Sequence, residues 1–266
     1  MKLRRWASTA TAAALFLGLS SLTGATSASA EEAPATGYVA LGDSYSSGVG
    51  AGDYDGSDCK RSANAYPKLW NAANSPSSFD FTACSGARTD DVLAGQLGPL
   101  NTSTGLVSIS IGGNDAGFGD AMTTCVTQGE SACLARVQEA RTYIADTLPG
   151  KLDTVYDAIR AKAPSAKVVV LGYPHMYKLD GDCAVGISEK SREAINAASD
   201  DLNEVTAKRA ADHGYSFGDV RPAFSGHEIC SGDEWLHSVT LPVDESYHPT
   251  AAGQSGGYLP VLEGLA

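Results

Sequence analysis

The sequence predicts a single α/β domain built on a parallel sheet, and three observations carry that reading. Short β-rich runs bounded by Gly, Asp or Pro alternate with longer stretches whose apolar residues recur at helical spacing. Two of the runs, LVSISI (106–111) and KVVVLG (167–172), are mostly apolar on both faces, as strands covered from two sides are. No Pro- or Ser-rich linker and no internal repeat divides residues 31–266, a length that supports one substantial core.

The elements follow in order. Residues 1–30 carry Lys2, Arg4 and Arg5, a short apolar stretch around Ala13–Leu19, and Ala28-Ser29-Ala30. That order is a secretory signal peptide, with cleavage expected after Ala30, and the apolar stretch is short of the ~20 residues a bilayer requires. The mature domain is then 31–266. YVAL (38–41) reads as the first strand, and GDSYSSG after it breaks the strand at Ser44. FDFTA (79–83) is the second, followed by ACSGARTDD, and LVSISI is the third, followed by GGND. Leu152, Val155, Tyr156 and Ile159 mark a helix whose first turn accommodates Pro149. KVVVLG is the fourth strand. Ile187, Ala194, Ile195, Ala198, Leu202 and Val205 mark a longer amphipathic helix with Gly214 as its C-terminal cap. YSFGDV (215–220) is the fifth strand, and a small-residue segment after His248-Pro249 opens a last helix. The cysteine-bearing stretches 116–133 and 173–187 are expected to be loops that wall a pocket. A βαβα order of this kind places helices on both faces of the sheet, with ligands at the carboxyl ends of the strands.

Charge and cysteines narrow the class. Three of the 19 basic residues and none of the 31 acidic ones fall in residues 1–30, so the remainder carries 16 against 31, a balance of −15. Such a surface repels nucleic acid and anionic lipid at long range, and neither is expected as a partner. No later segment is long and apolar enough for integral membrane association. The six cysteines, an even count in an exported chain, point to three disulfides and leave 15 connectivities open. There is no C-x-x-C pair and no metal-ligand spacing among the five histidines, so neither a metal nor another cofactor is expected. His175, His213, His227 and His237 read as polar loop or helix-end residues.

Three strand ends and one late histidine remain as chemistry. Ser44 stands just past the first strand. Gly86, after the second, offers a backbone N–H to a close ligand, and Asn114, after the third, offers a side-chain amide. Each alone is what ordinary turns contain. His248 precedes Pro249, which biases it toward extended backbone outside the helix that follows.

Taken together, GDSYSSG, Gly86, GGND and His248-Pro249, in that order, resemble the SGNH hydrolase superfamily, the Gly-Asp-Ser-Leu lipases and esterases, in its secreted actinomycete branch. The resemblance spans nearly all of the mature chain. It implies a three-layer α/β/α, flavodoxin-like fold, Ser44 as nucleophile and His248 as base. It implies an oxyanion hole from the Ser44 N–H, the Gly86 N–H and the Asn114 side chain. Sequential cysteine pairing in related enzymes implies Cys59–Cys84, Cys125–Cys133 and Cys183–Cys230. Two positions depart from the pattern. Tyr45 stands where the family usually has Leu, a change read as packing. Glu245 stands three residues before the histidine, where an Asp is common. The acceptor for the second nitrogen of His248 is therefore either the Glu245 carboxylate, making a triad, or the backbone carbonyl of Ser246 or Glu245, making a dyad. Asp43 and Asp115 read as loop braces.

The expected reaction is hydrolysis of carboxylic esters of lipids, phospholipids included, through an acyl-enzyme on Ser44, by a monomer acting on an acyl ester substrate. The alternatives are a carbohydrate acetylesterase on the same scaffold and, more remotely, a catalytically silent binding module. Two G-x-S-x-G matches, around Ser216 and Ser255, fail as nucleophile elbows. The first has its helix before its strand, and the second lies beyond every histidine. DYDGSD (53–58) departs from a calcium loop in both its Gly and its missing Glu.

Overall fold

Five strands order as β2–β1–β3–β4–β5, all parallel, in the computed structural model, which describes residues 37–266 except 182, 184 and 185. The expected signal peptide and its cleavage point lie outside the described residues. The strands are β1 (Gly37–Gly42), β2 (Phe79–Phe81), β3 (Thr104–Ser110), β4 (Lys167–Leu171) and β5 (Ser216–Gly218). Val107, Ile109, Val169, Val170 and Leu171 are fully buried, because helices cover both sheet faces. Each such side chain contributes roughly 1.5–3 kcal/mol on leaving water. Polar residues are also buried on β3, among them Ser108, whose hydroxyl meets the Tyr38 hydroxyl at 2.7 Å.

The helices fall into two packed sets. One holds α2 (Tyr66–Asn74), α8 (Arg221–Phe224) and the C-terminal helix, which runs as a π turn over Gly253–Tyr258 and then as α9 (Leu259–Glu263). The other holds α3 (Thr89–Asp91), α4 (Phe118–Thr127), α5 (Gly129–Asp146), α6 (Leu148–Lys162) and α7 (Glu189–Asp212). The short α1 (Ser44–Ser47) sits at the end of β1. Pro149 occupies the first turn of α6, and Gly214, in the left-handed region, follows the end of α7. The fold is the α/β parallel-sheet domain flanked by helices that the alternation predicts.

One expectation is corrected. Residues 118–127 and 129–146 are helices, not part of a loop. Their threonines and glycines read locally as turn chemistry, yet α4 and α5 pack on each other and are joined by the Cys125–Cys133 disulfide. Tertiary packing outweighs a weak helix propensity worth only tenths of a kcal/mol per residue. Helix α2 carries no expectation from the sequence either; it is short, and Pro67 lies in its first turn, where proline is accommodated.

Strands β1 and β3 are neighbours, while the chain passes from β1 to the outer strand β2 between them. Strand order therefore reverses at β1/β3, and the crevice beyond their carboxyl ends is where such sheets bind ligands.

Candidate active site

Ser44 is the first residue of α1, immediately beyond β1. Asp43 caps that turn: its carboxylate accepts from the Tyr45 N–H at 3.0 Å. The approach of β1 to β3 demands glycine just before it. Gly42 has φ +125°, and a Cβ there would lie 2.4 Å from the Ser110 carbonyl oxygen. The side chain of Gln96 clamps Gly42 from the other side, accepting from its N–H at 2.7 Å and donating to its carbonyl at 2.9 Å. The backbone that leads into Ser44 is thus fixed from both β3 and Gln96.

His248 arrives from the far end of the chain. Its Nε2 lies 2.7 Å from Ser44 Oγ, and its Nδ1 lies 3.0 Å from the Ser246 carbonyl oxygen. With Nδ1–H donating to that carbonyl, Nε2 is left as the acceptor for the serine proton. Burial pushes the imidazole down from 6.5 to about 4, so the ring is neutral at pH 7. The Glu245 carboxylate points elsewhere and accepts from the Tyr54 hydroxyl at 2.9 Å. Tyr247 sits in the left-handed region, φ +64°, which turns the backbone between the accepting carbonyl and the imidazole.

Several supports went unread in the sequence. Tyr45 does more than pack: its hydroxyl donates to the Tyr247 carbonyl at 2.7 Å, and its ring lies 5.3 Å from that of His248. The Tyr173 hydroxyl donates to buried Asp43, which also accepts from Ser110 Oγ at 2.9 Å. Burial raises Asp43 from 3.8 to about 6. His237 holds the loop after α1 by a 2.8 Å contact from Nε2 to the Gly50 carbonyl. No local signal marks these roles, because each partner is far away in sequence.

Gly86 (φ +76°) and Asn114 line the same cavity as Ser44 and His248. The space where a Gly86 side chain would project is empty. The Ser44 N–H opens α1 and has no helical partner, and one Asn114 amide hydrogen is oriented by the Ala87 carbonyl at 3.0 Å. Asp115 braces this loop, accepting from the Thr89 N–H at 3.0 Å and its hydroxyl at 2.6 Å. The disulfide Cys59–Cys84 joins the chain after α1 to the Gly86 loop; the third pair is Cys183–Cys230. Ser216 begins β5, and Ser255 lies in the last helix, bonded to the Ala251 carbonyl at 2.9 Å. Among the described residues no cluster of His, Cys, Asp and Glu is arranged to hold a metal.

The cavity has a volume of about 480 Å³. It runs from Ser44 between α4, α5 and α7, past Met122, Ala140, Ile144, Ile195 and Leu202. Its lining is mostly apolar, with Thr123, Thr127 and Ser199 the polar side chains that the enclosing helices add to those around Ser44.

The sequence profile of the GDSL-like Lipase/Acylhydrolase family matches residues 40–255. The chain belongs to this family. This GDSL-like acylhydrolase is 69% identical over 249 residues to Lipase 1 of Streptomyces coelicolor, covering 92% of each chain. The crystal structure of an extracellular lipase from Streptomyces rimosus superposes with a TM-score of 0.86 at 69% identity, covering 87% of this chain and all of that one. Phospholipase A1 from Streptomyces albidoflavus NA297 matches with the same TM-score and coverage at 67% identity. The acylhydrolase is an enzyme of the lipase/esterase class.

Proposed function

We propose that this enzyme is an exported lipase whose deep pocket takes a fatty acyl chain of a lipid or phospholipid. Ser44 is the nucleophile. The observation that carries the mechanism is the 2.7 Å approach of His248 Nε2 to Ser44 Oγ in a mostly apolar cavity. His248 takes the serine proton as Oγ attacks the ester carbonyl. The Ser44 and Gly86 N–H groups and the Asn114 amide receive the oxyanion; one such donor is typically worth about 10²–10³ in rate. His248 then protonates the departing alcohol, and water, deprotonated by the same imidazole, releases the acid. The catalytic unit is a dyad, with the Ser246 carbonyl holding the tautomer that a carboxylate holds in a triad. An acetyl group would leave most of the 480 Å³ cavity unfilled, which favours lipid esters over sugar acetates.

Export follows from residues 1–30 and from three disulfides in the described chain, each contributing roughly 2–4 kcal/mol. N-terminal sequencing of the exported protein is expected to begin at Glu31, and sedimentation to give a monomer. Ser44→Ala and His248→Ala are each expected to abolish turnover of a long-chain ester in a folded protein. Retention of most activity in Ser44→Ala would overturn the assignment.

A further inference from the structure

Among the described residues, four of the five large apolar side chains left in water lie at or beside the catalytic cavity, Leu179 being the exception. Leu241 is 88% exposed, Val243 69%, Val239 59% and Val126 46%. Val126, Val239 and Val243 line the catalytic cavity, and Leu241, which does not line it, stands between the latter two on loop 238–246. Val126 belongs to α4, so the apolar rim is built from two separate parts of the chain.

The loop is braced. Thr240 N–H donates to Ser246 Oγ at 3.0 Å, Glu245 N–H to the Pro242 carbonyl at 3.0 Å, and Ser246 N–H to the Val243 carbonyl at 3.1 Å. These bonds fix the backbone turn that carries the exposed side chains. The acids on the loop are occupied: Asp244 pairs with Lys60, and Glu245 accepts from Tyr54.

We propose that this rim docks the enzyme onto a zwitterionic phospholipid surface, with Leu241 entering the acyl layer and the cavity mouth facing the lipid it draws in. The substrate class rests on the lipase reading above; the docking itself does not depend on turnover. Charge chooses among occupants. Residues 31–266, with 16 basic against 31 acidic residues, are repelled by an anionic surface, whereas a zwitterionic one carries no such field. A second copy of the chain is disfavoured by size. Four side chains fall well short of the ~800 Å² per partner that stable protein interfaces bury. Continuity with the cavity supplies the reason for the location, since an acyl chain passing from bilayer to pocket along this rim would stay out of water.

The test uses Ser44→Ala, which binds without hydrolysing, and phosphatidylcholine vesicles in a sedimentation assay. Adding Leu241→Ser is expected to weaken vesicle binding about tenfold, the lower end of what transferring one leucine side chain gives. With Ser44 intact, Leu241→Ser is expected to keep kcat/KM on a soluble short-chain ester within twofold and to lose about tenfold on vesicle lipid. Leu241→Trp is expected to bind and to shift its fluorescence to the blue on vesicles. Equal vesicle binding by Ser44→Ala with and without Leu241→Ser, or no binding by either, overturns the proposal. So does tighter binding to phosphatidylglycerol than to phosphatidylcholine, or self-association that Leu241→Ser removes. Loss of soluble-ester turnover in the unmodified enzyme would instead count against the lipase reading.

Discussion

Replacing Glu245 by glutamine separates the two ways of orienting His248. In a triad the carboxylate holds the imidazole tautomer and stabilises the imidazolium, and removing its charge costs about 10⁴ in kcat, or about 5.5 kcal/mol of barrier. Here the His248 Nδ1 partner is the Ser246 carbonyl at 3.0 Å, and the carboxylate is engaged 2.9 Å from the Tyr54 hydroxyl instead. Glutamine presents a carbonyl oxygen that still accepts from Tyr54, so the 2.8 Å bond from the Gly50 N–H to Tyr54 is preserved. What is lost is the extra strength of a charged acceptor, about 1 kcal/mol for a half-buried bond. Were all of it transmitted to the transition state, the loss would be about fivefold. The assay is kcat/KM on a soluble p-nitrophenyl ester at pH 8, with circular dichroism as the check on folding. A loss of three orders of magnitude or more in a folded protein would refute the dyad. Glu245→Ala leaves the Tyr54 hydroxyl without its acceptor and is expected to cost somewhat more, up to about tenfold.

Three further outcomes follow from the same geometry. Because burial holds His248 near 4, its catalytically competent neutral form persists as pH falls below an ordinary histidine's ~6.5, and kcat/KM is expected to drop only below about pH 4; an acid limb at pH 6 or above that persists in Asp43→Asn would contradict this. Tyr45→Phe deletes the 2.7 Å bond to the Tyr247 carbonyl and leaves a buried acceptor unpaired, so a stability loss of about 1–3 kcal/mol by urea unfolding is expected, with a larger fall in kcat than in substrate affinity. Ala140→Phe fills the deep part of the cavity, and if about three chain carbons are displaced at ~0.8 kcal/mol each, the preference for long over short acyl chains in a p-nitrophenyl ester series falls by roughly 50-fold.

The legible part of the site is the part carried by order along the chain. Ser44, Gly86 and Asn114 each follow a strand of a parallel sheet, and parallel strands place their carboxyl ends together whatever joins them. His248 was visible through its proline and its distance from any metal-like spacing. The choice between Glu245 and a carbonyl was not visible, since both lie within three residues of the histidine and the left-handed turn at Tyr247 decides which one faces Nδ1. Nor was the polar role of Tyr45, whose partner is 202 residues away.

The ordered blocks that resemble the SGNH family singled out Ser44, Gly86, Asn114 and His248 as the candidate site; residue pattern by itself determined the strands, helices α6 and α7, and the parallel sheet. These follow from short-range periodicity and from the chirality shared by all βαβ units. Tertiary structure alone decided that 118–127 and 129–146 are helices, that three helices enclose a mostly apolar cavity, and that the valines of α4 and loop 238–246 both line it. Those outcomes depend on contacts between segments distant in the chain, whose free energies outweigh local propensity and leave no mark on a local stretch of residues.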